Sequence, residues 1–137
     1  MKMIKEMIES HPATSSFDTS ELAECIMNCF SCAQICNTCA DACLSEDNVK
    51  DMIQCIRFNH DCADICSATG KMMSRLSSPS DEMLRDQIKA CITACEICGN
   101  ECSSHSKMKH CAVCAQSCNE CKKACEKILS SVTAGVR

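Results

Sequence analysis

Large apolar residues are sparse along this chain, and the positions where a helix would seat them are taken by cysteine. In CIMNCFSCAQICNTCADAC, residues 25 to 43, cysteines fall at 25, 29, 32, 36, 39 and 43, with gaps of 4, 3, 4, 3 and 4. Steps of three and four mark the buried stripe of an amphipathic helix, the row ordinarily filled by Leu and Ile. The rhythm returns at Cys55, Cys62 and Cys66, at Cys91, Cys95, Cys98 and Cys102, and at Cys111, Cys114, Cys118, Cys121 and Cys125. The second of these rows keeps phase if Met52, Asn59, Thr69 and Met73 fill its missing slots. Four helices that each carry one such stripe must turn the stripes inward. The pattern therefore predicts an all-α fold, an antiparallel up-down-up-down four-helix bundle with a Cys-lined core and a short extra N-terminal helix.

Boundary residues support the same division. Asp18 can cap the first long helix, with Glu21 completing a capping box and Phe17 stapling onto Leu22. The segment Ser45 to Asn48 is a short turn, and the second helix is expected from about Asn48 to Leu76. Ser78, Pro79 and Asp81 then supply a cap, a first-turn proline and a carboxylate for the third helix. A brief stretch near His105 separates the third and fourth, and a helix over Lys2 to Ser10 precedes Pro12. The expected organisation is residues 1–17 as short helix and linker, 18–131 as the bundle and 132–137 as a C-terminal tail. Short connections make neighbouring helices antiparallel.

This order places the turns after Cys43 and Cys102 at one end, with Cys55 and Cys111, and gathers Cys25, Cys66, Cys91 and Cys125 at the other. Beyond that second end the seam becomes hydrocarbon, through Leu22, Met73, Leu84, Ile88, Ile128 and Leu129. Cys25 to Cys43 spans roughly 27 Å at helical rise. The prediction is a tube lined with sulfur along its length and plugged at one mouth. Ala33, Ala40, Ala42, Ala63, Ala94, Ala112, Ala115 and Ala124 flank the cysteines; small neighbours let helices approach, and Ala is also the best helix former.

Composition sharpens the picture. The 137 residues suit one domain, and 18 of them are Cys. A neutral thiol behaves as a small hydrophobe, so these cysteines supply core volume and the bundle should fold without metal. The formal charge is −4, with no Trp or Tyr and three Phe, and no basic patch that would suit nucleic acid. MKMIKEMIESHPATSS alternates apolar with charged residues and does not resemble a secretory signal, and no stretch is long enough to span a membrane. The expected location is the cytoplasm, where thiols stay reduced. A disulfide framework is further disfavoured because cysteines three or four apart on one helix lie side by side and close a bridge only with strain.

Thiolate clusters bind Cu(I), Zn(II) or iron–sulfur clusters. Five CxxC pairs occur, at 29/32, 36/39, 95/98, 111/114 and 118/121, all in phase with the helical rows. Charge separates the candidates. If every sulfur ionised, Zn(II) at four sulfurs per ion would bring about nine positive charges and leave about nine negative ones buried. Cu(I) is monovalent and satisfied by two sulfurs, and each thiolate can bridge two coppers, so about one ion per cysteine neutralises the tube. Iron–sulfur (ferredoxin-like) and zinc-thiolate readings remain the alternatives, although iron–sulfur clusters need four cysteines converging on one bulky cluster. Dithiol redox chemistry lacks a strand–turn–helix setting, and neither a nucleophile elbow nor a phosphate loop is present, so no enzyme is expected. A hand-over protein would expose one or two thiolates; eighteen buried ones indicate storage or sequestration of copper.

CNTCADACL, CIRFNHDCADIC and CAVCAQSCNECKKAC resemble the copper storage proteins, in particular their cytosolic branch, and the likeness runs from about Glu21 to Ile128. The resemblance implies a four-helix bundle filled with Cu(I) through its core cysteines, assembled as a homotetramer. It also implies histidines near the open mouth, which here are His105 and His110, with Met52 and Met108 as nearby thioethers or simple gap fillers. Asn59 either supplies an oxygen inside the tube or breaks the row to make room, and Phe58 packs between helices. His60 falls one place off the seam and suits the surface or a subunit contact. Met3, Met7 and His11 share a face of the N-terminal helix, where an amphipathic docking stripe with Ile4 and Ile8 is a better account than copper collection.

Overall fold

The computed structural model describes residues 2–133, and side chains as far as residue 131. Among the described residues five α-helices form: α1 (Lys2–Glu9), α2 (Thr19–Leu44), α3 (Ile53–Met73), α4 (Asp81–Ser103) and α5 (Lys109–Thr133), with a short 3-10 turn at Val49–Met52 before α3. Residues 134–137 of the expected tail lie outside the described residues. No helix is long and apolar enough to cross a membrane, among the described residues.

The four long helices pack in a ring. α2 contacts α3, α3 contacts α4, α4 contacts α5 and α5 contacts α2, while across the diagonals no pair of Cα atoms comes within 8 Å among the described residues. There only side chains meet, as Asn59 does Cys114 and Cys36 does Cys98. Sequence numbers rise along one helix as they fall along its neighbour. Near the start of α2, Cys25 Sγ lies 3.7 Å from Met73 Sδ at the end of α3 and 3.9 Å from Cys125 Sγ late in α5. At the far end, Cys39 Sγ lies 3.9 Å from Cys111 Sγ and Cys55 Sγ 3.7 Å from Cys102 Sγ.

The helix ends follow capping chemistry, with three differences from the sequence expectations. Asp18 Oδ1 accepts from the Glu21 amide at 3.0 Å, the expected cap of α2. The Glu21 carboxylate instead faces Lys127 on α5, with Oε2 3.8 Å from Nζ. Helix α3 begins later than Asn48, because Asn48 makes no side-chain cap bond and the chain tightens into the 3-10 turn first. It ends at Met73, where Ser74 Oγ donates to the Gly70 carbonyl at 2.7 Å. Helix α4 is capped by Ser80 and not by Ser78: Ser80 Oγ accepts from the Met83 amide at 3.2 Å. Ser78 takes φ 54°, a left-handed turn residue, and Pro79 lies before the cap. This register sets Asp81 and Glu82 in the first turn, where carboxylates favour the positive end of the helix dipole.

One end of the ring is sealed by hydrocarbon. Leu22, Ile26, Ile88 and Ile128 are fully buried there, Met73 and Leu84 nearly so, and Leu129 is half-buried against them. Each large aliphatic side chain contributes roughly 1.5–3 kcal/mol of burial. Helix α1 packs on α2 with Ile8 buried and Ile4 partly so, while Met3 and Met7 face outward. The docking stripe is therefore narrower than the shared face of Met3, Met7 and His11. His11 Nδ1 accepts from the Ala13 amide at 2.9 Å. Gly70 makes room for the Phe30 ring, which a Cβ there would approach to 2.9 Å and force to shift.

Candidate metal centre

All 18 cysteines are free thiols and all are buried. Their inward aim follows from the three-and-four spacing, because each row faces three other helices that also turn their rows inward. The interrupted row on α3 keeps its phase. Met52, Asn59 and Thr69 are fully buried and Met73 nearly so, each in the slot that its spacing predicts.

The sulfurs line the interior in closely spaced pairs. From the sealed end, Cys125 Sγ lies 3.7 Å from Cys91 Sγ, Cys66 Sγ 3.8 Å from Cys91 and 3.7 Å from Cys95, and Cys62 Sγ 3.7 Å from Cys66. On the opposite wall, Cys121 Sγ lies 4.0 Å from Cys29, Cys32 Sγ 3.8 Å from Cys118, and Cys114 Sγ 3.7 Å from Cys36. A metal about 2.3 Å from each of two sulfurs bridges atoms up to about 4.6 Å apart, so each of these pairs lies within bridging reach without rearrangement. A disulfide would need sulfurs about 2.05 Å apart.

Groups of four whose sulfurs all lie within 4.8 Å of one another include Cys29/Cys91/Cys121/Cys125, Cys32/Cys62/Cys66/Cys95, Cys32/Cys36/Cys62/Cys118, Cys36/Cys98/Cys114/Cys118 and Cys39/Cys43/Cys55/Cys111. Cys32, Cys36, Cys62 and Cys118 each belong to two of these groups. Shared membership suits bridging thiolates. It does not suit separate four-sulfur zinc or iron–sulfur sites, whose ligands are used once.

Asn59 is the polar residue inside the array. Its Oδ1 accepts from Cys98 Sγ at 3.0 Å, Cys114 Sγ at 3.1 Å and Cys102 Sγ at 3.6 Å, and its Nδ2 donates to Cys55 Sγ at 3.6 Å. An amide oxygen that accepts hydrogen bonds from three thiols thus sits among the sulfurs. Thr69, the other buried polar residue described, donates from Oγ1 to the Ile65 carbonyl at 2.7 Å and accepts from Gln87 Nε2 at 3.0 Å. No Lys or Arg is buried among the described residues.

The other end is built differently. His110 Nδ1 lies 3.4 Å from Cys39 Sγ and 3.6 Å from Cys111 Sγ, and its Nε2 lies 2.7 Å from Glu46 Oε2. His105 does not share this placing: its Nε2 bonds Glu101 Oε2 at 2.9 Å, one helical turn back. Met52 is buried and Met108 half-buried against the core, while His60 is exposed. Burial, reinforced by the neighbouring Cys55 sulfur, pushes the Cys43 thiol up to about 12. Burial likewise pushes the Cys111 thiol up to about 11. Both are protonated at neutral pH, so a cation arriving here displaces a proton. Glu46 is the site residue that reading the sequence missed. The available signal was its position three residues after Cys43, the next step of the helical rhythm.

The comparisons with known proteins agree with this geometry. The chain is 42% identical to the copper storage protein Ccsp of Streptomyces lividans; the structure of that protein loaded with 10 copper equivalents matches with a TM-score of 0.90, over 93% of this chain and 98% of that one. A structure on copper loading to a cytosolic copper storage protein from the same organism, with five coppers, matches at 46% identity and a TM-score of 0.80, over 81% of this chain and 93% of that one. The uncharacterized cysteine-rich protein YhjQ of Bacillus subtilis (strain 168) is 36% identical over 104 residues, 76% of this chain and 92% of that protein. Residues 18–130 match the family Csp, copper storage protein, and the chain belongs to that family.

Proposed function

We propose that this protein stores copper in the cytoplasm as Cu(I), about one ion per cysteine, on the thiolates of Cys25, Cys29, Cys32, Cys36, Cys39, Cys43, Cys55, Cys62, Cys66, Cys91, Cys95, Cys98, Cys102, Cys111, Cys114, Cys118, Cys121 and Cys125. The observation that carries this reading is the buried and shared sulfur array with no buried cation beside it among the described residues. Each Cu(I) that binds releases one thiol proton, so the interior stays neutral as it fills. Divalent ions at four sulfurs each would leave charge behind.

His110 joins Cys39, Cys43, Cys55 and Cys111 as a nitrogen ligand at the mouth. His105 receives copper beside it, which requires its ring to leave Glu101. The four long helices make an up-down-up-down bundle, a reading supported by the ring of helix contacts and the opposed numbering of the sulfur pairs. The assembly is a homotetramer and catalyses no reaction. The cytoplasmic location is supported by the relative described as cytosolic.

Anaerobic titration with Cu(I) against a competing chelator tests the reading. Tight uptake of about eighteen ions per chain is expected from bridging thiolates. Saturation below about five ions would contradict it and indicate separate four-sulfur sites.

A further inference from the structure

Glu46 sits in the turn after α2, in a protein whose cargo is a cation preferring sulfur, and its carboxylate is not spent on solvent. Its Oε2 lies 2.7 Å from Nε2 of His110 on α5, and the side chains are 32% and 27% exposed. A carboxylate only accepts hydrogen bonds, so the ring proton of His110 resides on Nε2. A neutral imidazole has one N–H, and Nδ1 is left with a lone pair. Nδ1 is also the ring atom that faces the sulfurs, 3.4 Å from Cys39 Sγ and 3.6 Å from Cys111 Sγ. The opposite tautomer would aim an N–H at those sulfurs and leave the ring no lone pair there for a soft cation.

The pattern occurs twice. His105 also has its Nε2 tied to a glutamate, Glu101, at 2.9 Å. That pair is made within one helical turn, whereas Glu46 reaches His110 across the fold. Carboxylates that orient metal-binding histidines in this way raise ligand basicity and fix the ring.

The geometry points to Glu46 as a positioning residue: by accepting the Nε2–H hydrogen bond it holds His110 in one tautomer, with Nδ1 turned toward the Cys39 and Cys111 sulfurs of the Cys39/Cys43/Cys55/Cys111 group. Copper arriving at the mouth then meets a nitrogen donor already in place beside four sulfurs. This assignment rests on the reading of His110 as a copper ligand.

The test uses the full chain, metal-free and under reducing conditions, as wild type, E46A, E46Q and H110A. Long-range proton–nitrogen NMR reads the ring nitrogens of His110, and Cu(I) transfer from a chelator reads loading of the first ions. Glutamine keeps an acceptor oxygen, so E46Q should restore what E46A loses. Wild type should show the Nε2–H tautomer alone. E46A should show both tautomers and about 10-fold weaker capture of the first ions. An unchanged single tautomer in E46A overturns the assignment. So does normal capture by E46A when H110A is impaired, which leaves the ligand reading standing. Normal capture by H110A removes the ligand reading and the assignment with it.

Discussion

The two ends of the helix ring are made of the same backbone and of opposite chemistry. At one end Leu22, Ile26, Ile88 and Ile128 bury hydrocarbon and carry no titratable group. At the other, His110, Glu46 and two thiols with raised pKa values meet the turns at 45–48 and 104–108. Between them the sulfurs are evenly spread. The difference separates two jobs that most proteins give to one core. The sealed end adds hydrocarbon burial that the cysteines lack, and in the proposed reading the mouth supplies groups that exchange a proton for an ion. The array between them can then be filled and emptied without the fold depending on its contents.

The sharpest way to break this comparison is to weaken the hydrocarbon. Ile88→Ala should destabilise the metal-free protein by about 3 kcal/mol, measured by chemical denaturation, because a buried aliphatic side chain leaves a cavity. Its copper count should stay unchanged. A loss of capacity equal to the loss of stability would mean that the ends are not separate in function.

A somewhat smaller effect should come from alkali acting at the mouth. Cys43 and Cys111 are raised from an ordinary 9.0 to about 12 and about 11 in the folded protein. The folded state therefore holds these protons more tightly than the unfolded chain does. Their contribution is fully present below the unfolded pKa and is lost as pH rises through the folded values. The part of the anaerobic, metal-free protein's stability that these two thiols contribute, read against the C43A/C111A variant, should be flat below about pH 8 and fall by on the order of 1 kcal/mol for each thiol by about pH 10. A rise in that part over the same window would reverse the sign and remove the account of the mouth thiols as buried, neutral groups.

The smallest change in stability should follow Cys36→Ala, in the middle of the array. One sulfur lost from a wall of small side chains should cost the empty protein less than about 1 kcal/mol. Yet Cys36 belongs to two four-sulfur groups, so capacity should fall by more than one ion in titration. A drop of one ion or none would argue that its neighbours do not share it.

Much of this was legible in the sequence because a single period governs the whole core. Rows stepping by three and four admit a helical reading and no strand reading, and every cysteine in them is buried. Met52, Asn59, Thr69 and Met73 were visible as slot fillers for the same reason. Local turn chemistry was less legible. Ser78 and Ser80 both have the hydroxyl of a cap, and the left-handed turn at Ser78 gives the cap to Ser80. Across-fold polar pairs were the least legible. Glu46 and His110 are 64 positions apart, and no spacing rule joins a turn after one helix to the first turn of another. His105 was placed at the mouth by the family resemblance, which gave no sign that its Nε2 goes to Glu101, four residues back in α4.

The claim under all of this is that copper replaces protons one for one inside a neutral tube. Proton release during anaerobic Cu(I) loading measures that exchange directly. The account predicts about one proton per copper, continuing at the same ratio until about eighteen ions are bound. Release that stops after a few ions, or a ratio near two protons per ion, would contradict it.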